Sequence, residues 1–264
     1  MPITFPAHQA VVLPLKMRWP DHTDATALCV GAAAPDLGYA VVHGQSHQVM
    51  GALLFALPFT LLTCALLRWR AGASVFANLP DLGPFRVWSY RAISDRRPAL
   101  IITVSSAAIG IASHLLIDAF THDQRWGATW LGLDTTMVRL PGRAPMSVAH
   151  LLQYGGHTIG SLIGILLFLA IGRRRLMERR YGADVVARAR RVSLRSVDRT
   201  AFWLVAVVVA LPIAAAGRAG GSRGAFPIIL GGVVGLLVAG CLPQVGGRKD
   251  TASEISEVEG RPVR

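Results

Sequence analysis

LIITVSSAAIGIASHLLIDAFTH, the stretch from Leu100 to His122, decides the fold of this chain. A helix that crosses a bilayer needs about 20 predominantly apolar residues. The run over residues 99–120 supplies them and contains a single carboxylate, Asp118. The stretch therefore predicts a membrane-spanning helix that carries its ionisable side chains near one end.

Other apolar runs extend this interpretation to most of the chain. They cover residues 49–67, 156–171, 201–216 and 225–242. Of all residues, 52% are hydrophobic and only 16% are charged, whereas a soluble domain has ~25% charged residues. We expect an all-α, polytopic membrane helix bundle of about five transmembrane helices, the first of them kinked at Pro58.

The composition between the apolar runs predicts four regions. Residues 1–172 form a membrane core with an N-terminal interfacial segment, in which 25–42 is either an interfacial helix or a re-entrant segment. A basic cytoplasmic loop covers 173–200, and a C-terminal transmembrane hairpin covers 201–245. Residues 246–264 have mixed charge and are expected to be a disordered tail.

Arginine-rich loops set the predicted orientation. Arg68 and Arg70 follow the first apolar run, and many more arginines lie in 173–200, so both loops are expected in the cytoplasm of a multi-pass plasma-membrane protein. This topology places the N-terminal segment, with Lys16 and Arg18, outside. It also explains the net charge of +12 without a nucleic-acid partner.

Ionisable side chains gather at one end of the second predicted helix. His114 and Asp118 are four residues apart and share a helix face, and His122 falls close to that face if the helix continues. Ionisable groups inside a membrane segment are costly and usually functional. A mixed set of imidazole and carboxylate groups suits zinc, manganese or iron.

Further histidines fall at the same predicted membrane face. The pair His43 and His47 precedes the first apolar run, and Tyr154 stands near the start of the third. Helix alternation puts these positions beside the end of the second helix. His8 and Asp36, in the N-terminal segment, complete the set of candidate residues. The alternative is that histidines simply favour membrane interfaces.

Several of these motifs resemble an uncharacterised bacterial membrane family, the domain of unknown function DUF4184. The resemblance rests on TFPAH at Thr4–His8, on Pro35-Asp36, on SHLLIDAFTH at Ser113–His122 and on LLQY at Leu151–Tyr154. It covers roughly residues 1–172 and implies a multi-pass membrane protein without an assigned activity.

A more distant resemblance is to bacterial membrane-bound metal-dependent hydrolases. These have an early histidine, a Pro-Asp motif, a histidine pair and a later HxxxD. By this resemblance the metal ligands would be His8, Asp36, His47, His114 and Asp118, with His43 and His122 as additional candidates. The hydrolases usually have a second acid after Pro-Asp. Leu37 and Gly38 occupy those positions here, which argues against a two-metal centre.

The resulting functional hypothesis is a metal-dependent hydrolase acting at the outer membrane face. A bound zinc or manganese ion would lower the pKa of water from 15.7 to about 7. Asp36 or Asp118 would act as ligand or general base, and Tyr154 or Gln153 would orient a lipid or lipid-linked phosphoester or acyl ester. The alternative is a non-enzymatic membrane scaffold or accessory subunit. A transporter is disfavoured, because 201–216 and 225–242 contain no ionisable side chain.

Small residues at four-residue spacing indicate close helix packing. Gly156, Gly160 and Gly164 form one such ladder, and Gly231 and Gly235 belong to another. This spacing lets helix backbones approach each other. The expected partners are therefore membrane lipids and a second copy of the chain in a helix-mediated homo-oligomer.

Overall fold

The computed structural model describes residues 5–95, 97–184, 186, 196–222 and 225–242. These residues are overwhelmingly helical, so the predicted all-α bundle is confirmed. The helices are α1 (Gln9–Arg18), α2 (Ala25–Gly31), α3 (Ala34–Gly38), α4 (Val49–Asn78), α5 (Leu100–Thr121), α6 (Trp126–Trp130), α7 (Val148–Arg173), α8 (Leu176–Tyr181), α9 (Ser196–Ala219) and α10 (Phe226–Gly240). Short 3₁₀ segments cover His43–His47, Gly83–Phe85 and Val87–Asp95.

A two-stranded antiparallel ribbon interrupts the connection between α6 and α7. Strand β1 (Met137–Val138) pairs with β2 (Met146–Ser147), with Met137 opposite Ser147. The Ser147 side chain then caps α7 by accepting a hydrogen bond from the His150 backbone N–H at 3.1 Å. The ribbon therefore fixes where the third long apolar helix begins.

In the part of the chain that the structure describes, four helical stretches are long and apolar enough to cross a membrane. They are Val49–Asn78, Leu100–Thr121, Val148–Arg173 and Asp198–Ala219. Helix α10 is equally apolar but has only 15 residues, fewer than the ~20 that a perpendicular span needs. It packs against α9 as a hairpin. A Cβ atom on Gly235 would lie 2.2 Å from the Ala206 carbonyl oxygen, which confirms the predicted close packing.

Helix α4 is longer than predicted. It continues past Leu67 to Asn78, so Arg68 and Arg70 lie on the helix and not in the predicted loop. The helix contains π-helical turns at Ala52–Ala56, just before Pro58, and again at Leu67–Ala71. Proline lacks an N–H donor, and π turns are common where helical hydrogen bonding is adjusted.

The N-terminal segment is a helical hairpin packed against the long helices of the bundle. We call residues 8–38 the N-terminal hairpin: α1 leads to a tip at residues 19–24, and α2 and α3 return. Val12, Leu28 and Ala32 form its fully buried apolar contact. Helix α2 packs closely on α5, because a Cβ on Gly110 would lie 2.5 Å from the Leu28 carbonyl oxygen.

The hairpin tip lies at the arginine-rich end of the bundle. Arg180 of α8 forms an ion pair with Asp21 and donates a hydrogen bond to the Pro20 carbonyl at 3.2 Å. Lys16 Nζ donates to the carbonyls of Pro20 and Thr23 at 2.6 and 2.7 Å. The prediction that Lys16 lies on the side opposite the basic loop was therefore wrong, since the hairpin carries it to the side of that loop. The predicted tail, 246–264, and much of that loop fall outside the described residues.

Candidate metal centre

Four side chains from three parts of the chain converge at one end of α5. Asp36 comes from α3, His47 from the 3₁₀ segment before α4, and His114 and Asp118 from successive turns of α5. All four are buried, and His114 is completely inaccessible. One donor atom from each lies within 4.8 Å of the other three. We call these residues the four-residue group.

The donor atoms form a compact, nearly regular cluster. His47 Nε2 lies 3.0 Å from His114 Nε2, and each of these nitrogens is 3.2 Å from Asp118 Oδ2. Asp36 Oδ1 is 3.3 Å from His47 Nε2 and 3.6 Å from His114 Nε2. A tetrahedral zinc ion with ligand bonds of 2.0–2.1 Å requires ligand atoms about 3.3–3.4 Å apart. These spacings therefore fit a single small cation.

The neighbouring hydrogen bonds fix the tautomers of both histidines. His114 Nδ1 lies 2.8 Å from the Ala32 carbonyl oxygen, which can only accept, so Nδ1 carries the proton. His47 Nδ1 lies 3.0 Å from Ser46 Oγ, which already donates to the His43 carbonyl at 2.9 Å. Ser46 Oγ therefore accepts from His47 Nδ1–H. In their neutral forms, both histidines direct an Nε2 lone pair at the cluster.

Two imidazole lone pairs and two carboxylate oxygens thus face each other in a buried site. Such a set of acceptors needs a positive charge between them, either a proton or a cation. Two histidine nitrogens and two carboxylate oxygens are ligands that suit zinc or manganese. Each imidazole also forms a hydrogen bond through its Nδ1 atom, to a carbonyl or a hydroxyl oxygen. Hydrogen bonds of this kind orient metal-binding histidines. The residues present therefore fit a divalent metal ion.

His8 covers one side of the four-residue group. Its ring stacks on the His114 ring, with 3.9 Å between the centroids, and its Nε2 is 3.9 Å from Asp118 Oδ1. Neither ring nitrogen of His8 has a hydrogen-bond partner among the described residues, although the residue is only 4% exposed. Burial, and then the nearby His114 imidazole, lower the pKa of His8 to about 3. His8 is therefore neutral at physiological pH.

His122 lies beside the group, one residue past the end of α5. Its Nδ1 is 3.5 Å from Asp118 Oδ1, and its Nε2 lies 2.7 Å from Gln153 Nε2 of α7. Burial lowers the pKa of His122 below its usual value. These contacts make His122 a neighbour of Asp118 that links α5 to α7.

Two predicted site residues lie apart from the four-residue group. The His43 side chain is exposed, and only its backbone carbonyl contributes, by accepting from Ser46. Tyr154 is 48% exposed on the outer face of α7, where its ring packs 4.8 Å from that of His150. The four-residue spacing of His43 and His47 does not predict this orientation of His43, because the 3₁₀ geometry of His43–His47 turns the two imidazoles apart.

The structure also adds residues that the sequence analysis did not select. Ser46 and the Ala32 carbonyl orient the two histidines. The Tyr39 ring lies 4.6 Å from that of His47, and burial raises the pKa of its hydroxyl. His157 of α7 meets His8 edge-on, with 5.9 Å between centroids. His157 could have been noticed in the sequence, because it is a histidine near the start of a predicted membrane helix. Nothing in the sequence marks Ser46 or the Ala32 carbonyl as a group that orients a histidine.

A second polar cluster lies toward the other end of α5. The Asp24 carboxylate caps α2, forms an ion pair with Arg68 of α4 and accepts from Thr103 Oγ1 at 2.8 Å. Ser106 Oγ accepts from the Asp24 backbone N–H at 2.9 Å. Asp24 and the Arg68 side chain are both almost fully buried. This cluster fixes the returning arm of the hairpin, and thereby Asp36, against α4 and α5.

Together these features define a class: a multi-pass, all-α membrane protein whose helix ends enclose a buried group of two aspartates and two histidines able to bind a metal ion. A model of the family described as domain of unknown function DUF4184 matches residues 1–243. The chain belongs to this family, as the motifs predicted. No curated protein and no solved structure matches the chain. The more distant resemblance to metal-dependent hydrolases stays a prediction.

Proposed function

We propose that this protein is a metal-dependent hydrolase of the plasma membrane that acts on a lipid or lipid-linked ester. The observation that carries the proposal is the convergence of His47 Nε2, His114 Nε2 and Asp118 Oδ2 within 3.2 Å of one another. Asp36 completes the donor set. Each imidazole is held by its other nitrogen, so the donors are arranged before any ligand binds.

The chain's own residues supply the remaining chemical roles. A divalent cation held by the four-residue group supplies Lewis acidity and makes a proton of water easier to remove. Asp118 would hold the cation through Oδ2. Its Oδ1 has no hydrogen-bond partner among the described residues and lies toward His8 and His122, so it can accept a proton. His8 lies beside Asp118, and its ring nitrogens, which have no hydrogen-bond partner among the described residues, can form a hydrogen bond to a substrate.

The position of the group favours a lipid substrate. Asp118 is less than one turn from the end of α5, and His47 is two residues before the start of α4. The group therefore lies near the ends of candidate membrane spans, close to the level where ester linkages of lipids occur. A soluble substrate would have no reason to be processed at this depth.

A lipid-hydrolysis assay tests the proposal. Wild-type protein, reconstituted in vesicles of a bacterial lipid extract, should release lipid-derived products that mass spectrometry detects. Addition of a chelator or the substitution His114→Ala should abolish release, because each removes the cation. The matched control is His22→Ala, since His22 is exposed on the hairpin tip.

The alternative of a non-enzymatic scaffold makes a different prediction in the same assay. If wild-type protein holds a metal ion but releases no product from any lipid fraction, the centre would be structural and the hydrolase proposal would be overturned. Release that persists equally in His114→Ala would also contradict it.

A further inference from the structure

An apolar groove leads from the bilayer side of the protein to the four-residue group. It lies between α1 and α7, with α5 as its floor, and has a volume of about 690 Å³, within the ~300–1,000 Å³ range of small-molecule sites. Its ionisable lining residues are His8, Asp118 and His157. The rest of its lining is almost entirely apolar or glycine.

The mouth of this groove faces lipid and not water. Ile159 and Ile163 of α7 border it and are 61% and 43% exposed, and Val11 of α1 borders it opposite them. These α7 residues belong to a candidate membrane span, where exposed isoleucine contacts hydrocarbon. The lining runs from Leu151 to Ile163, about 18 Å along the helix axis. The groove is therefore mostly apolar and long enough for an extended acyl chain.

A second, smaller cavity meets the same carboxylate from the other side. It has a volume of about 240 Å³ and is lined by His47, Asp118, Arg125 and Trp126, among others. Arg125 lies in the short connection between α5 and α6, beyond the end of the apolar helix. A divalent cation would balance the charges of Asp36 and Asp118, so Arg125 would give this cavity a net positive charge. Guanidinium groups bind phosphate oxygens through paired hydrogen bonds.

We infer that the substrate is a membrane lipid with a phosphate-bearing, anionic head group. Its acyl chain lies in the groove between α1 and α7, and its head group reaches Arg125, so that the ester linkage between them lies at Asp118. The inference rests on the proposed hydrolytic function for the reaction, but the lipid site itself is testable without turnover. Entry from the bilayer also explains how a buried group is reached.

Photo-crosslinking tests the occupant of the groove. The probe is phosphatidylglycerol with a diazirine on one acyl chain, added to wild-type protein in phosphatidylcholine vesicles. Adducts should map to Ala7, His8 or Ala10 themselves, which line the groove but are at most 9% exposed, so lipid surrounding the protein cannot reach them. Unlabelled phosphatidylglycerol should compete, and added phosphatidylcholine should not.

Gly156→Leu provides the blocking variant. Gly156 lines the groove, and a Cβ there would meet no atom within 4 Å, so the larger side chain fills the groove without displacing backbone. It should reduce the adducts at His8 several-fold and leave the metal content unchanged. The matched control is Gly232→Leu in α10, where a Cβ is equally unhindered but the groove is remote. Arg125→Gln should reduce labelling by the phosphatidylglycerol probe to that of a phosphatidylcholine probe.

The outcomes separate this inference from the proposed function. Adducts confined to exposed residues such as Ile159, or undiminished by Gly156→Leu, would overturn the lipid site even if the protein holds a metal ion. Adducts at His8 that Gly156→Leu removes, in a protein without metal, would support the lipid site and overturn only the hydrolase. Equal labelling by both probes in wild type would overturn the role of Arg125.

Discussion

At the scale of single residues, the centre depends on groups that hold the imidazoles as much as on the imidazoles themselves. Ser46 Oγ is fully buried and lies between His47 Nδ1 and the His43 carbonyl. The Ala32 carbonyl has the same role for His114. These bonds keep both Nε2 atoms directed at the carboxylates of Asp36 and Asp118, which is the arrangement a cation requires.

Ser46→Ala tests this orienting role. The substitution removes the acceptor of His47 Nδ1–H and leaves all four donor residues in place. Loss of such an outer partner typically costs 10–100-fold in metal affinity, and we expect a reduction of about that size in a zinc competition titration. Ser105→Ala is the control, because Ser105 is exposed and bonds only to its own helix. An unchanged affinity in Ser46→Ala would contradict the role.

Some residues of the four-residue group could be predicted from the sequence, and others could not. The four-residue spacing of His114 and Asp118 places them on one face of any α-helix, so their proximity was predictable. The same spacing in His43 and His47 was misleading, because that segment is a 3₁₀ helix in which residues four apart do not align. Ser46 was not predictable, since a serine becomes an orienting group only through a neighbour's ring position.

At the scale of elements, glycine contacts decide how closely the hairpin packs on α5. Cβ atoms on Gly31 and Gly110 would lie 2.7 Å from the Ala107 carbonyl oxygen and 2.5 Å from the Leu28 carbonyl oxygen. Both distances are too short for a side chain, so the two backbones touch directly. This close approach brings the Ala32 carbonyl within 2.8 Å of His114 Nδ1.

Gly110→Ala should therefore disturb both packing and the site. We expect a loss of about 1–3 kcal/mol in the free energy of unfolding, because the added methyl group overpacks a tight contact. Metal affinity should also fall, since α2 carries the Ala32 carbonyl away from His114. Gly232→Ala is the control and should be neutral, because its Cβ meets open space. Unfolding in detergent with a denaturant titration gives the comparison, and equal stability of the two variants would contradict the packing account.

The ion pair between Asp24 and Arg68 fixes the other end of the same hairpin arm. Arg68→Met would leave the Asp24 carboxylate buried without its cation, which typically costs about 3–5 kcal/mol. We expect a loss of this order in the free energy of unfolding. Arg70→Met provides the matched control, because the Arg70 side chain is exposed on the same helix. A loss of similar size in both variants would show that the pair has no special role.

At the scale of the whole molecule, the N-terminal hairpin places its basic residues at the same end of the bundle as the basic loop. The contact between Arg180 and Asp21 places the tip beside the basic loop, and the four-residue group lies at the opposite end of α5. Lys16 and Arg18 thereby join the other basic residues on the side that the positive-inside rule assigns to the cytoplasm. The order of apolar runs predicted the helix bundle. It did not predict that residues 8–38 pack into the bundle as a hairpin, because each arm of the hairpin is too short to be recognised as a membrane span.

Cysteine labelling tests this arrangement of sides. In a background with Cys241→Ser, an impermeant maleimide should label Arg143→Cys in intact cells, since Arg143 is exposed at the end of the protein that holds the four-residue group. Arg174→Cys and His22→Cys should react only after permeabilisation, because both positions are exposed at the basic end. Labelling of His22→Cys together with Arg143→Cys would contradict the hairpin topology.

The central claim is that the four-residue group holds a divalent metal ion, and the metal content of the purified protein tests it most directly. Elemental analysis of wild-type protein, prepared without chelator, should find about one zinc or manganese ion per chain. His47→Ala and His114→Ala should lose it, and His43→Ala and His22→Ala should keep it, because those side chains are exposed. Wild-type protein without metal, or His114→Ala with as much metal as wild type, would contradict the account.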